Sequence, residues 1–180
     1  FADLEVEAGN LDRARVLATD HLRASERAYG ASSEDHRLAC FKLADIFRRQ
    51  GELDRADSLY ARSIAAAPAG KDRATDDLLR SALQSRALAR MSGLRWAEAI
   101  ADLRQARAIT IQTYDSLHHE VAHADLLLAE AQLGAGDPGA ALVHVRTAQR
   151  ILQVRADALR TSKVPQLFPG PHLLSDARYW

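Results

Sequence analysis

The chain has 180 residues with 24 basic and 24 acidic side chains, so its formal net charge is zero. Apolar residues make up 47% and charged residues 27% of the sequence, which is typical of a globular domain and atypical of a disordered chain. The balanced charge argues against a nucleic-acid-binding module, and the lack of an apolar run of about 20 residues argues against a membrane span.

The spacing of apolar residues predicts eight helices joined by short turns. Ala, Leu, Arg, Glu and Gln are strong helix formers and dominate the sequence, whereas Val and Ile are scattered and never alternate as in strands. In chain order, the predicted helices span 1–8, 10–29, 33–50, 52–67, 73–92, 95–114, 118–135 and 137–161. Ser32 and Asp35 have the spacing of a capping box at the start of the third helix.

The chain repeats itself at a regular interval. Gly9, Gly51 and Gly93 are evenly spaced, and Gly136 follows after the same interval plus one residue. A small residue follows each glycine at Ala14, Ala56, Ala99 and Ala141. Glycine supplies the positive φ that ends one helix, and alanine lets two helices approach closely. We therefore predict helix–turn–helix pairs that stack on one another, because neither helix of a pair can bury its apolar face alone.

The second repeat resembles a tetratricopeptide repeat (TPR). The residues that carry this resemblance are Leu43, Ala44, Phe47, Gly51, Ala56, Tyr60 and Pro68. The interval between repeats is longer than in the common form of that repeat and is similar to the long-helix variety in kinesin light chains and bacterial regulatory arrays. Tyr114 followed by His118 to Ala122 resembles the linker of that variety. The resemblance covers residues 1–161 and implies an all-α, right-handed TPR-like α-solenoid of antiparallel helix pairs.

What the resemblance implies about function is a protein–protein interaction scaffold. In such arrays, the first helix of each pair lines a concave groove that binds a partner peptide or domain. Carried over by register, the groove positions are Phe41, Lys42, Asp45, Arg49, Arg80, Gln84, Ala87, His123, Leu127 and Glu130. The paired asparagines of kinesin light chains are absent, since Phe41-Lys42 and Leu126-Leu127 stand in their place. The resemblance therefore leaves the identity of the partner open.

The wider expectation is a non-enzymatic adaptor without a cofactor, within a larger regulatory protein of a bacterial type. Self-association through the open ends of the solenoid is a further expectation. The alternative is a ligand-sensing regulatory domain that controls an attached output domain, which a deep, polar-lined pocket would favour. Scattered Arg residues, balanced by acids such as Asp54, Asp57, Asp76 and Asp77, predict a solvated charged face.

A zinc-dependent hydrolase is a minor alternative, based on one motif. His119-Glu120-Val121-Ala122-His123 matches H-E-x-x-H, in which two histidines on one helix face bind zinc and the glutamate acts as general base. The motif coincides with the His, Glu, Val and Ala of the repeat linker, and the sequence supplies no third ligand at the expected spacing. His118, His144 or His172 would have to complete the site. We expect solvated histidines at the start of a helix.

Cys40 is the single cysteine of the sequence. It permits no internal disulfide and favours a reducing, cytoplasmic location. His36 lies four residues before it on the same predicted helix, but the apolar register predicts a small core residue rather than a nucleophile. The chain begins at Phe1 without a signal-peptide pattern, which favours a piece of a longer protein.

Residues 162–180 form a tail of different composition. Three prolines, Pro165, Pro169 and Pro171, exclude a continuous helix through its first half. Its large apolar residues are Leu167, Phe168, Leu173, Leu174, Tyr179 and Trp180. We expect the tail to pack against the last helix pair as a cap. The alternatives are the start of a further domain and a tail that lies in the groove.

Overall fold

A computed structural model describes residues 2–65, 67 and 72–161. This part of the chain forms eight α-helices and contains no strand. The helices are α1 (Ala2–Glu7), α2 (Leu11–Tyr29), α3 (Glu34–Arg49), α4 (Leu53–Ala65), α5 (Arg73–Ser92), α6 (Trp96–Thr113), α7 (His119–Gly134) and α8 (Pro138–Thr161). Each predicted helix is present, with ends that lie close to the predicted ones. The tail and its predicted packing lie outside the described residues.

The helices form a linear stack of pairs. Each helix packs against the next one along the chain, and α3 also contacts α5. The core is a series of small apolar clusters, and successive clusters join α2 to α3, α3 to α4 and α5, α5 to α6 and α7, and α7 to α8. The predicted all-α architecture of stacked helix pairs is confirmed. No helix in the described ranges is long and apolar enough to span a bilayer.

The small residues of the repeat are buried, and Ala14, Ala56 and Ala99 belong to apolar clusters between helices. Ala14, Ala56 and Ala99 are fully buried, and Ala141 is 2% exposed. The burial of these four residues confirms their predicted place at the helix contacts. The cap of α3 differs by one residue from the prediction, because the side chain of Ser33, not Ser32, accepts the hydrogen bond from the backbone N–H of His36.

Three of the four turns within the helix pairs use glycine in the left-handed region. Gly9, Gly51 and Gly136 have φ values of 80°, 79° and 80°. The fourth turn is different, since Gly93 has a φ of −89° and the positive φ, 59°, belongs to Leu94. The prediction that Gly93 supplies the left-handed residue is therefore wrong by one position.

Backbone hydrogen bonds show that Leu94 is the true counterpart of the three glycines. In the second repeat, the N–H of Gly51 donates to the Arg48 carbonyl and the next N–H donates to the Phe47 carbonyl. Leu94 makes the same pattern, with its N–H on the Met91 carbonyl at 3.0 Å. These bonds satisfy the last carbonyls of the helix as in a Schellman motif. The extra residue of the repeat therefore lies between the second turn and the third, not between the third and the fourth.

Candidate partner-binding surface

The first helices of the first two pairs, α1 and α3, line an open cavity of about 220 Å³. Its lining includes Phe41, Lys42, Asp45 and Arg49, which are four of the predicted groove residues. Asp3, Val6 and Glu7 of α1 and Ile46 of α3 complete the wall. The structure therefore brings the α3 part of the predicted groove together around one concavity.

Ion pairs organise the charged side chains of this cavity. Lys42 Nζ lies 2.6 Å from Asp3 Oδ2, which ties α3 to α1. The Asp45 carboxylate forms ion pairs with two arginines: Oδ1 lies 2.6 Å from Arg48 Nη2, and Oδ2 lies 3.0 Å from Arg49 Nε. Burial would raise the pKa of the Asp45 carboxyl, but the hydrogen bonds and charges of Arg48 and Arg49 outweigh burial and lower it. The side chains of Lys42 and Arg49 remain 35% and 47% exposed, so both can still meet a partner.

Phe41 is held by the core behind the cavity. Its ring centroid lies 6.0 Å from that of Tyr60, and the ring is half-buried. The Tyr60 hydroxyl donates to Asp45 Oδ1 at 3.3 Å. Burial, followed by the Asp45 charge, raises the pKa of Tyr60 to about 12, so the hydroxyl keeps its proton at neutral pH. Phe41 therefore offers the cavity a fixed ring.

Arg80 joins the first helices of the third and fourth pairs. Its Nη1 donates to Glu120 Oε2 on α7 at 3.1 Å and to Gln84 Oε1 at 3.3 Å. Its Nη2 lies 3.5 Å from Asp77 Oδ1. Only 14% of the Arg80 side chain is exposed. Arg80 thus acts mainly as a link between α5 and α7, which leaves it little surface for a partner, and Gln84 supports Arg80 from the same helix.

The prediction that Ala87 lines the groove is wrong. Ala87 is fully buried in the cluster that joins α5, α6 and α7. The reason is the extra residue before Leu94, which makes Ala87 the counterpart of the buried Ala44. The corrected spacing places Ser85 and Leu88 at the positions equivalent to Lys42 and Asp45, and both are half-buried.

The predicted positions on α7 differ in their exposure. His123 and Glu130 are exposed. Leu127 is half-buried and packs against the cluster that contains Leu128 and Ala131. Two of the three predicted α7 residues are therefore freely accessible, and Leu127 is accessible in part.

The H-E-x-x-H motif begins α7. His119 is its first residue, and His119 Nε2 lies 3.5 Å from Glu120 Oε1. Glu120 is also bound by Arg80, and His123 is exposed. Within the described ranges, no three His, Cys, Asp or Glu side chains are grouped so that they could hold a metal ion. His172, one of the proposed third ligands, lies outside those ranges.

Cys40 and His36 are in contact, as their spacing allows. Cys40 Sγ lies 3.5 Å from His36 Nε2, which is also 3.1 Å from Arg62 Nη2. Cys40 is fully buried and His36 is 2% exposed. Burial raises the pKa of the Cys40 thiol, which opposes formation of the thiolate that a nucleophile requires. This geometry is that of a core residue, as the register predicts.

Sequence reasoning missed the buried ion pairs between helices. Asp102 is 4% exposed and binds Arg86 at 2.6 and 2.9 Å and Arg90 at 2.7 Å. Arg90 Nε also donates a hydrogen bond to Asp57 Oδ1, although the sequence predicted a solvated face for Asp57. The sequence did hold a signal that Asp102 is buried, because the apolar Leu59 occupies the equivalent position in the preceding pair. A second buried carboxylate on α7 was missed in the same way.

That second carboxylate is Asp125, which is fully buried. Arg107 Nε of α6 donates to its Oδ1 at 2.8 Å, and His144 Nδ1 of α8 contacts the same oxygen. Asp125 therefore ties three successive helices together. The available sequence signal was again the place in the repeat, because the positions equivalent to Asp125 are the buried Cys40 and Leu83.

Known structures share this fold. BtubC (BKLC) from P. vanneervenii matches with a TM-score of 0.76 and 20% identity, over 93% of this chain and 65% of its own length. Two crystal structures of a putative kinesin light chain from P. anserina, with nearly identical TPR-like repeats, match with TM-scores of 0.75 and 0.73. Their identities are 19% and 18%, over 89% of this chain and 74% of theirs.

These likenesses show the fold, which is a TPR-like α-solenoid. This chain spans about two thirds of the length of BtubC. No family model matches the sequence, and no curated protein matches it.

Proposed function

We propose that this chain is a protein–protein interaction scaffold that binds a segment of a partner on the surface of its first helices, α1, α3, α5 and α7. The observation that carries the proposal is the cavity between α1 and α3, where Phe41, Lys42, Asp45 and Arg49 meet. Stacked helix pairs form extended concave surfaces of this kind, and TPR-like repeats generally mediate protein interactions.

Contacts between neighbouring first helices support a continuous surface. The Lys42–Asp3 pair joins α1 to α3, and the Arg80–Glu120 pair joins α5 to α7. Exposed His123 and Glu130 extend the surface along α7. A partner segment would place one side chain in the cavity against the Phe41 ring and pair its charges with Lys42 and Arg49.

At the concavity between α1 and α3, the small volume favours a side chain of a partner protein over a small-molecule ligand. Sites for small molecules usually enclose about 300–1,000 Å³. The cavity between α1 and α3 has about 220 Å³ and is open to solvent on one side, which suits a single side chain of a larger partner. A zinc hydrolase has less support, because the motif at the start of α7 has no third ligand among the described residues.

The same proposal places the scaffold in the cytoplasm, as part of a larger regulatory protein of a bacterial type. A free, fully buried cysteine suits a reducing compartment. The fold neighbours are longer than this chain, which is consistent with further repeats or domains in the whole protein.

The test is partner capture with matched charge reversals. The surface variant carries Lys42→Glu with Arg49→Glu, and the control carries Arg23→Glu with Arg104→Glu on the second helices α2 and α6, where both arginines are exposed. Both variants change the net charge equally. We expect proteins captured from lysate by the wild type to fall at least tenfold with the surface variant and to stay with the control.

As a control, circular dichroism spectra and melting temperatures are measured to check that both variants are folded. Equal capture by the surface variant and the wild type would contradict the proposal and move the binding site to another face. Zinc at one equivalent in protein purified without a metal-affinity tag would instead favour the hydrolase.

A further inference from the structure

The last helix pair of the described residues carries a second and larger concavity, lined mainly by α8 and by one residue of α7. It has a volume of about 490 Å³ and lies between α7 and α8. Its lining consists of Leu126, Val145, Ala148, Gln149, Leu152, Gln153 and Ala156. None of these residues is charged. We call this concavity the end groove.

The internal repeat shows that the end groove has the composition of a covered interface. Val145 is equivalent to Tyr60 in the second pair and to Leu103 in the third. Tyr60 and Leu103 are fully buried, whereas Val145 is 39% exposed. The first helix of the following pair supplies the cover, because Tyr60 clusters with Ala89 of α5 and Leu103 clusters with Leu128 of α7.

Two further positions repeat this contrast. Leu152 is 48% exposed, whereas its counterpart on α6, Thr110, is fully buried. Leu126 is 45% exposed, whereas its counterpart Phe41 is half-buried against Tyr60. At this end of the stack, apolar side chains are therefore exposed at positions whose counterparts in the earlier pairs are buried. Covering them would remove apolar surface from water, at about 25 cal/mol for each Å².

We propose that residues 162–180 of the same chain cover the end groove. This segment follows α8 directly and contains six large apolar residues, Leu167, Phe168, Leu173, Leu174, Tyr179 and Trp180. Its charged residues are Lys163, Asp176 and Arg178. A segment with many apolar and few charged side chains suits a groove lined by Leu, Val, Ala and Gln.

The length of the segment is sufficient. The chain must return from Thr161 to the level of Val145, which is about 24 Å along a helix that rises 1.5 Å per residue. Nineteen residues in extended form reach up to about 60 Å. Attachment to α8 also gives the segment a high effective concentration at the groove, which favours it over a second molecule.

The first experiment maps the position of the segment in the full chain. A photo-crosslinking benzoylphenylalanine replaces Phe168, and crosslinked peptides are identified by mass spectrometry. We expect crosslinks within one molecule to the segment 145–156 of α8 or to Leu126 of α7. Crosslinks mainly to α3 or α5, or between two molecules, would overturn the proposal.

The second experiment measures protection of the segment. Chymotrypsin cleavage after Leu174, which is followed by Ser175 and not by a proline, is monitored in the wild type, in Leu152→Glu and in the matched control Val143→Glu. Val143 is 61% exposed on α8 and does not line the groove. We expect cleavage at least tenfold faster in Leu152→Glu and unchanged in Val143→Glu, with the helical content of both variants intact.

Equally fast cleavage in the wild type and in Leu152→Glu would overturn the proposal. So would a doubled mass of the wild type by light scattering that Leu152→Glu abolishes, because a second copy would then be the cover. Neither result depends on the first-helix surface, so the proposed scaffold function is tested separately.

Discussion

Leu94 occupies a backbone conformation that the other three pairs reserve for glycine. Its φ is 59°, and its side chain is 72% exposed, so burial does not compensate for the strain. A left-handed residue with a Cβ costs about 1–2 kcal/mol. The turn forms nevertheless, because the hydrogen bonds of Leu94 and Arg95 to the Met91 and Arg90 carbonyls close α5 as in the glycine turns.

We expect Leu94→Gly to stabilise the protein by about 0.5–1 kcal/mol. The relief of roughly 1–2 kcal/mol of strain is partly offset by the greater entropy of glycine in the unfolded chain, about 0.4–1 kcal/mol. Urea unfolding measures the change. Gly136→Ala is the opposite control and should destabilise, because its φ is 80° and an added Cβ would meet no atom within 4 Å, which leaves only the backbone strain. Destabilisation by Leu94→Gly would contradict this account of the turn.

At the scale of the helices, buried carboxylates join helices that also pack together through apolar clusters. Asp102 binds two arginines of α5 from α6, and Asp125 binds Arg107 of α6 and His144 of α8. A buried ion pair adds little net stability compared with apolar packing, but the loss of one partner leaves a buried charge unpaired. These ion pairs therefore fix the positions of neighbouring helices relative to one another.

We expect Asp102→Ala to reduce the free energy of unfolding by about 3–5 kcal/mol, because Arg86 and Arg90 would lose their shared partner in a buried site. The matched control is Glu98→Ala, which removes an exposed partner of Arg90 and Arg95 on the same helix. Denaturant unfolding of both variants measures the difference. A loss for Asp102→Ala no larger than that of the control would show that the buried pairs are dispensable.

At the scale of the molecule, the stack has no single centre. Each helix contacts mainly its neighbours in sequence, so each pair is stabilised by the pairs beside it. The helix α1 has six residues and none of them is buried. It is held by Ala2 and Val6, which pack against the cluster between α2 and α3, and by the Lys42–Asp3 pair.

We expect the amides of α1 to exchange with solvent at least 100-fold faster than those of α5. Local opening of a terminal helix exposes little apolar surface, whereas opening of α5 disrupts contacts with α3, α4 and α6. Native-state hydrogen exchange read by mass spectrometry measures both. Uniform exchange over α1 and α5 would indicate that the stack opens as one cooperative unit.

The sequence predicted the helices and their close contacts well because those features depend on neighbours along the chain. Apolar spacing and helix-forming residues located all eight helices, and the small residues Ala14, Ala56 and Ala99 located the contacts. The one extra residue of the repeat was recognised but was assigned to the wrong position. Alignment on Gly93 instead of Leu94 moved the α5 register by one, and Ala87 was consequently assigned to the groove.

Local patterns in the amino-acid sequence thus sufficed for the order of helices, the regular repeat of helix pairs and the TPR-like architecture. The burial of Asp102 and Asp125, the Arg80–Glu120 link and the open apolar end at Val145 and Leu152 emerged only from the tertiary structure. The physical reason is that the exposure and charge pairing of a side chain depend on which distant helix packs against it. That packing depends on the stacking of whole pairs, which the spacing within one helix does not encode.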